Sequence, residues 1–322
     1  MKFRTEIEIP QSEVQLDYSS RILSLGSCFA TSIGGKLRDA KFTTCINPIG
    51  VLFNPLSICS ALQRFSERRF VSIDELQHGC DGWFHYDFHS SLSDVDPAVA
   101  LQKINRAVEQ GATALENSDT IVLTFGTSWI YELIASGVAV ANCHKEPARS
   151  FSRRSMDIEE IVRVVGELVA KYSNKRFIIS VSPIRHIKDG LVENSLSKAT
   201  LRVAIAQIVE KFANAHYFPA YEILLDDLRD YRFYADDMLH PSSQAIEYIW
   251  SKFCHTHISA ATKLKMNNIL DIVRAAAHRP FNEASSAYQT FCRKQLELIE
   301  KFQDVDLSEE SAYFVRQLQN NL

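Results

Sequence analysis

Two short segments carry the residue types that acyl-transfer chemistry requires. In the first, Leu25-Gly26-Ser27-Cys28-Phe29, a serine follows a glycine turn and precedes a helical stretch. A serine so placed lies at a helix N-terminus, where unpaired N–H groups and the helix dipole favour a developing negative charge. The same placement suits a serine that only caps the helix, and the segment by itself leaves both roles open. In the second, Ala235-Asp236-Asp237-Met238-Leu239-His240-Pro241-Ser242, an aspartate and a histidine stand three apart, just ahead of a helix that Pro241 and Ser242 can open. A carboxylate at that spacing can fold back onto the imidazole Nδ1 and fix the tautomer, which leaves Nε2 free to take a hydroxyl proton. Read together, the segments predict Ser27 as nucleophile, His240 as its base and Asp237 as the group that orients the base.

Other reactive side chains have less to recommend them. The Cys28 thiol adjoins Ser27, but neighbouring side chains in such a turn point apart, and a free cysteine most often packs as a small apolar group. Cys28 is therefore expected to face the core while Ser27 faces a cleft. His78, Cys80, His85 and His89 have the composition of a metal site without the spacing of a closed zinc centre, so no metal is expected. Trp83 and His89 in the same stretch are read as substrate contacts, as are Asn142, His144, Arg185 and His186. The charges from Asp226 to Arg232 read as a solvated face with local ion pairs. No G-x-G-x-x-G follows the first strand and no G-x-x-x-x-G-K-[ST] occurs, so no cofactor is expected.

The elements that must hold these side chains follow from the apolar pattern. Arg21 to Leu25 reads as a strand, Phe29 to about Ala40 as a helix, Phe42 to Ile46 as a second strand and Pro55 to about Phe65 as a helix. A helix from Pro97 to Asn117, a strand from Thr120 to Phe125, a helix through Ile158, Ile161, Val165 and Val169, and a strand from Phe177 to Val181 repeat the alternation. Leu196 to Phe212 is helical again, and Tyr217-Phe218 opens a fifth, short strand. Uninterrupted apolar strands alternating with amphipathic helices predict a doubly wound α/β fold, a mostly parallel sheet of about five strands covered on both faces. In such sheets ligands bind beyond the carboxyl ends of the strands, where the strand order reverses. Asp74 to Asp94 has no usable period and reads as a loop inserted over the site, at about 74–96. From about Thr262 the chain is helical without strands. The expected division is an α/β domain over 1–260 and a helical extension over 261–322, whose apolar faces pack on the domain or pair two copies into a homodimer.

Composition narrows the partners. The chain has 322 residues, 46% of them hydrophobic, and 35 basic against 39 acidic side chains leave a formal charge of −4. That is no basic excess of the kind that holds a phosphate backbone, so nucleic acid is not an expected partner. The longest apolar runs fall far short of the ~20 residues of a membrane helix, and no membrane partner is expected. The segment Met1 to Glu8 has no apolar stretch of the signal-peptide kind, and seven scattered cysteines with no C-x-x-C pair read as free thiols. A cytoplasmic protein is the expectation.

Several segments together resemble a known family. Leu23-Ser24-Leu25-Gly26-Ser27-Cys28-Phe29-Ala30, Leu123-Thr124-Phe125-Gly126-Thr127, Asn142-Cys143-His144-Lys145, Ser182-Pro183-Ile184-Arg185-His186, and Tyr231-Arg232-Phe233-Tyr234 running into Asp237-x-x-His240 are similar to the motifs of the GSCFA family. That family looks like a branch of the SGNH (GDSL-like) hydrolase superfamily, and the resemblance covers roughly Ile22 to Phe253. It implies a flavodoxin-like sheet and a serine ester hydrolase with Ser27, Asp237 and His240 in the roles given above. It further implies the Ser27 N–H as one oxyanion donor and the Gly50 N–H as another. The sequence departs where most of the superfamily carries an asparagine after the third strand, since it reads Gly126-Thr127. The third donor then falls to Thr127, or to Asn142 or His144 reaching in. The function implied is hydrolysis of an acyl ester, for example an acetyl ester, of a small molecule or carbohydrate. An O-acyltransferase with the same serine chemistry, or a non-catalytic binding or scaffold protein that kept the fold, are the alternatives.

Overall fold

In a computed structural model that describes residues 4–283 and 285–319, the chain opens its sheet with β1 (Arg21–Gly26), α1 (Cys28–Asp39) and β2 (Thr43–Ile46). There follow α2 (Pro55–Glu67), a hairpin of β3 (Gln77–Gly79) and β4 (Gly82–Phe84), α3 (Pro97–Asn117) and β5 (Thr120–Phe125). A small antiparallel sheet of β6 (Trp129–Leu133), β7 (Ala139–Val140) and β8 (Phe151–Ser155) comes next. The main sheet resumes with α4 (Ile158–Lys171), β9 (Arg176–Val181), α5 (Leu191–Lys211) and β10 (Ala215–Tyr217). The chain ends in the one-turn α6 (Ala220–Glu222), which runs into a π turn over Ile223–Asp227, and in α7 (Ser243–His257), α8 (Ala260–Ala277), α9 (Ser286–Ile299) and α10 (Ser308–Gln319).

The main sheet has five parallel strands in the order β2-β1-β5-β9-β10, with Gly26 opposite Thr124 and Phe125 opposite Val181. Chain order reverses at β1, whose neighbours are β2 on one side and β5 on the other, so the switch point lies between the ends of β1 and β5. Side chains alternate between two cores. Leu23, Leu25, Leu123 and Ile179 meet Phe65, Ile104, Val165 and Ile205 of α2 to α5, whereas Ile22, Val122 and Ile178 meet Phe29 and Ile33 of α1 and Ile249 and Phe253 of α7. Both faces are thus covered, and this is the doubly wound arrangement that the apolar runs predict. A third cluster of Ile269, Ile272, Cys292, Val305, Leu307 and Phe314 joins α8, α9 and α10. The apolar stripes of the tail close on one another and on Tyr18.

Helix starts follow local chemistry. Asn54 accepts from the Ser57 amide with Pro55 in the first turn of α2, and Asp96 and Pro97 do the same for α3. Four details differ from the sequence reading. The stretch read as a loop, from Asp74 to Asp94, contains the β3–β4 hairpin, whose strands are too short to display a period. The sheet of β6, β7 and β8 has no counterpart in that reading, because its strands are short and Ser152, Arg153 and Arg154 point to solvent. Helix α5 begins at Leu191, ahead of Leu196, and β10 ends at Tyr217, where the sequence reading began its fifth strand.

Helices α2 and α3 pack unusually closely at Gly111, where an added Cβ would stand 2.4 Å from two atoms of the Phe65 ring. Alanine in an ordinary helix interior gains ~1 kcal/mol over glycine, but here the methyl must displace a buried ring, which costs about 1–3 kcal/mol. Gly111→Ala is expected to lower the urea midpoint with an unchanged m-value, and Phe65→Leu combined with it to recover part of the loss. A higher midpoint for the single variant would show that the two helices separate freely.

Candidate functional site

The end of β1 is shaped by a glycine. Gly26 has φ +147°, and a Cβ on it would lie 2.2 Å from the Thr124 carbonyl oxygen, so only glycine lets β1 run this close to β5. Its N–H donates to Asn47 Oδ1 at 2.9 Å and its carbonyl accepts from Leu52 N at 3.0 Å. Ser27 is drawn in behind it. The Ser27 hydroxyl accepts from Phe29 N at 3.3 Å as the N-cap of α1, its own N–H donates to Thr124 O at 3.2 Å, and the residue is 0% exposed. Cys28 keeps partial exposure, packs against the second core and has its thiol pKa raised by burial. Cys28 thus packs on a core as expected, whereas Ser27, expected to face a cleft, is enclosed at the start of α1.

Gly50 also answers a close approach. It has φ +86°, and a Cβ there would meet His89 Cβ at 2.1 Å, while its N–H donates to Asn47 O at 2.8 Å. Both amides that the resemblance assigns to the oxyanion, those of Ser27 and Gly50, thus already donate to backbone carbonyls.

Asp237 and His240 pair as their spacing predicts. Asp237 Oδ2 lies 2.6 Å from His240 Nδ1, and Oδ1 accepts from the amides of Leu239 and His240, each at 2.9 Å. A turn with Met238 at φ +59° makes this double contact possible. The His240 and Leu239 amides and the His240 ring hold the Asp237 carboxyl down at about 2, so it is an ionised acceptor, Nδ1 is the donor and Nε2 is left for other work. Ser242 caps α7, and Arg185 N donates to Leu239 O at 3.2 Å, which ties the turn to the loop after β9. Among the described residues no hydrogen bond joins His240 to Ser27.

A cavity of about 670 Å³ opens at the carboxyl ends of β5 and β9. It brings together Thr127, His89, Asn142, His144, Arg185 and His186, and Leu239 beside His240 reaches its wall. Trp83 lies outside this cavity, half-buried, its ring packed edge-on to His78 at 5.0 Å and against the first core. Within the cleft most polar atoms are engaged. The Thr127 hydroxyl lies 3.0 Å from Ser197 Oγ and accepts from Trp129 N at 3.1 Å. Asn142 Oδ1 accepts from His144 N, and His144 Nε2 donates toward the carbonyls of His85 and Phe88 with its ring stacked on Phe84 at 4.1 Å. Burial lowers the His144 pKa, which keeps that ring neutral. His89 Nδ1 accepts from Ser91 N, and the Arg185 guanidinium lies over the rings of Tyr234 and Tyr231 at 4.3 and 5.1 Å. Among the described residues no three His, Cys, Asp or Glu side chains converge as a metal site, and no helix is long and apolar enough to cross a membrane.

Sequence reasoning missed the buried polar face of α5. Asn194, Ser197 and Lys198 continue, at helical spacing, the stripe of Leu201, Ile205 and Ile208, and that continuation is the signal that marks them as inward. Lys198 is 1% exposed, and its Nζ donates to Gly126 O at 2.6 Å and to Ser182 O at 2.7 Å, joining the ends of β5 and β9. Burial pulls its ammonium down to about 7. Asn194 Oδ1 accepts from His186 N at 3.0 Å. Burial, with smaller contributions from Lys198 and His240, lowers the His186 pKa to about 4. His186 Nε2 and Trp129 Nε1, both on cleft-lining residues, are buried without a hydrogen-bond partner.

Comparison with known proteins places this chain in a sequence group. The model of the GSCFA family matches residues 21–253, and a second, described as GSCFA domain protein, C-terminal domain, matches residues 269–320. No curated protein and no solved structure matches.

The Asp237 turn makes a titration prediction. Its folded pKa of about 2 lies below the ~3.9 of a free aspartate, so the stability it contributes is complete above the unfolded value and is lost as pH falls from about 4 to about 2. Carbon-detected NMR of the carboxyl should give a midpoint near 2, and Asp237→Asn should remove that pH-dependence. A midpoint near ~4 would show that the turn does not hold the carboxylate.

Proposed function

Because the chain belongs to the GSCFA family, we propose that it is a serine ester hydrolase acting on an acyl ester of a small molecule or carbohydrate. The Asp237–His240 pair carries this reading: a carboxylate fixed by two amides, 2.6 Å from Nδ1, on a turn whose Leu239 lines the cleft. In the reaction proposed, Ser27 Oγ attacks the acyl carbon while His240 Nε2 takes its proton. The alkoxide leaves with that proton, and water then repeats the sequence in reverse to release the acid. Trp129, Tyr131, Phe53 and Phe151 line the cleft alongside Lys188 and Arg185, a mixture suited to a polar ester with flat apolar faces. Ser27 must come within reach of His240 when substrate binds, and catalytic hydrogen bonds are often long before that point.

The enclosure of Ser27 favours a second reading, a binding protein that kept the fold. With its hydroxyl capping α1 and its amide on Thr124 O, Ser27 is fully used by the structure. An O-acyltransferase would share the serine step and differ only in the acceptor.

A fluorophosphonate probe with mass spectrometry separates these readings. The hydrolase is expected to gain one adduct, on Ser27, which Ser27→Ala abolishes and Cys28→Ala keeps. His240→Ala should lower turnover of p-nitrophenyl acetate by about 10³-fold or more with the fold intact. A folded wild type that neither labels nor turns over esters would leave the binding protein, and added alcohols that divert the acyl group from water would identify a transferase.

A further inference from the structure

The superfamily asparagine after the third strand is absent, and the cleft holds a different group in the space it leaves. His186 follows β9, where its amide is pinned by Asn194 Oδ1 and its ring stands edge-on to Phe53 at 5.6 Å. Its Nε2 points at the end of β5: a Cβ on Gly126 would lie 3.0 Å from that nitrogen. The imidazole therefore takes up the room that a side chain at 126 would need. The nitrogen is buried and has no partner, although buried polar atoms are nearly always paired. By contrast, the Thr127 hydroxyl is held between Ser197 and Trp129, and His144 Nε2 points back to the carbonyls of His85 and Phe88.

We infer that the Nε2–H of His186 supplies the side-chain oxyanion donor for the reaction begun by Ser27, an assignment that rests on the serine reading above. When Ser27 Oγ bonds to the acyl carbon, the carbonyl π pair moves onto oxygen. His186 donates a hydrogen bond to that oxygen and keeps its proton, while His240 holds the proton of Ser27 and passes it to the leaving alkoxide. A neutral imidazole with its proton on Nε2 can donate to the oxyanion without bringing a permanent positive charge into the buried cleft. Burial is the main cause that keeps the ring neutral, and Lys198, whose Nζ is held by Gly126 O and Ser182 O, and His240 add to it. His186 is thus a catalytic residue.

Removing one such donor typically lowers kcat by ~10²–10³-fold. The test compares wild type, His186→Ala and His186→Gln on p-nitrophenyl acetate and in the rate of fluorophosphonate labelling, with circular dichroism to confirm the fold. His186→Ala is expected to lose kcat by about that factor with KM changed less than a few-fold, and His186→Gln, which keeps a side-chain N–H, to recover part of it. Overturning results are an unchanged kcat in a labelled His186→Ala protein, a loss confined to KM, or equal losses in the alanine and glutamine variants. A wild type that never labels would instead overturn the serine reading, and this assignment with it.

Discussion

The contact between Gly26 and Thr124 governs the functional edge of this molecule. Because no side chain fits between them, β1 and β5 stay side by side to their last residues, and α1 starts hard against the sheet. The polar groups of Gly26 then help to hold the neighbouring loop, through Asn47 and Leu52. The same contact decides the fate of Ser27, whose amide reaches Thr124 O and whose hydroxyl turns to α1. A residue with any Cβ at position 26 would separate the strands and undo all of these at once.

From that point a line of hydrogen bonds crosses the sheet edge. Phe53 O takes the amides of both Gly126 and Thr127, and Lys198 carries the line from Gly126 O to Ser182 O. Every link is between backbone groups or to a buried cation, so the edge is rigid without depending on loop side chains. Burying an ammonium costs several kcal/mol unless its hydrogen bonds are satisfied, and two carbonyls at short distance offset part of that. What the line leaves unpaired is as telling. His186 Nε2 and Trp129 Nε1 are orphaned on the cleft side, and a ligand with complementary groups would satisfy them.

Much of this is legible in the sequence, for reasons that particular elements make clear. The strands Thr120–Phe125 and Phe177–Val181 are mostly apolar runs because both faces are buried, and their shortness between helical stretches marks them as strands. Asp237 and His240 are readable because their contact is local, three residues around one tight turn. Lys198, Ser197 and Asn194 were not, since polar residues in a helix ordinarily face water and only the stripe they continue marks them as inward. Nor were β6 and β8, where exposed arginines interrupt the alternation. The enclosure of Ser27 depends on Thr124, nearly a hundred positions away, and no local pattern reports it.

Helix α8 belongs to two cores at once: Met266 sits among the residues under the sheet, whereas Ile269 and Ile272 sit among those of α9 and α10. The C-terminal cluster therefore has a private interior, tied to the rest through that one helix, through Tyr18 and through the ion pair of Lys41 with the buried Glu310. Units of this kind open with a free energy of their own. Amide protection along α8 should change from that of the sheet to that of the tail within about one turn. The chain would then melt as two cooperative bodies sharing a single rod, and damage to one would reach the other through the few side chains on that rod, through Tyr18 and through the Lys41–Glu310 pair.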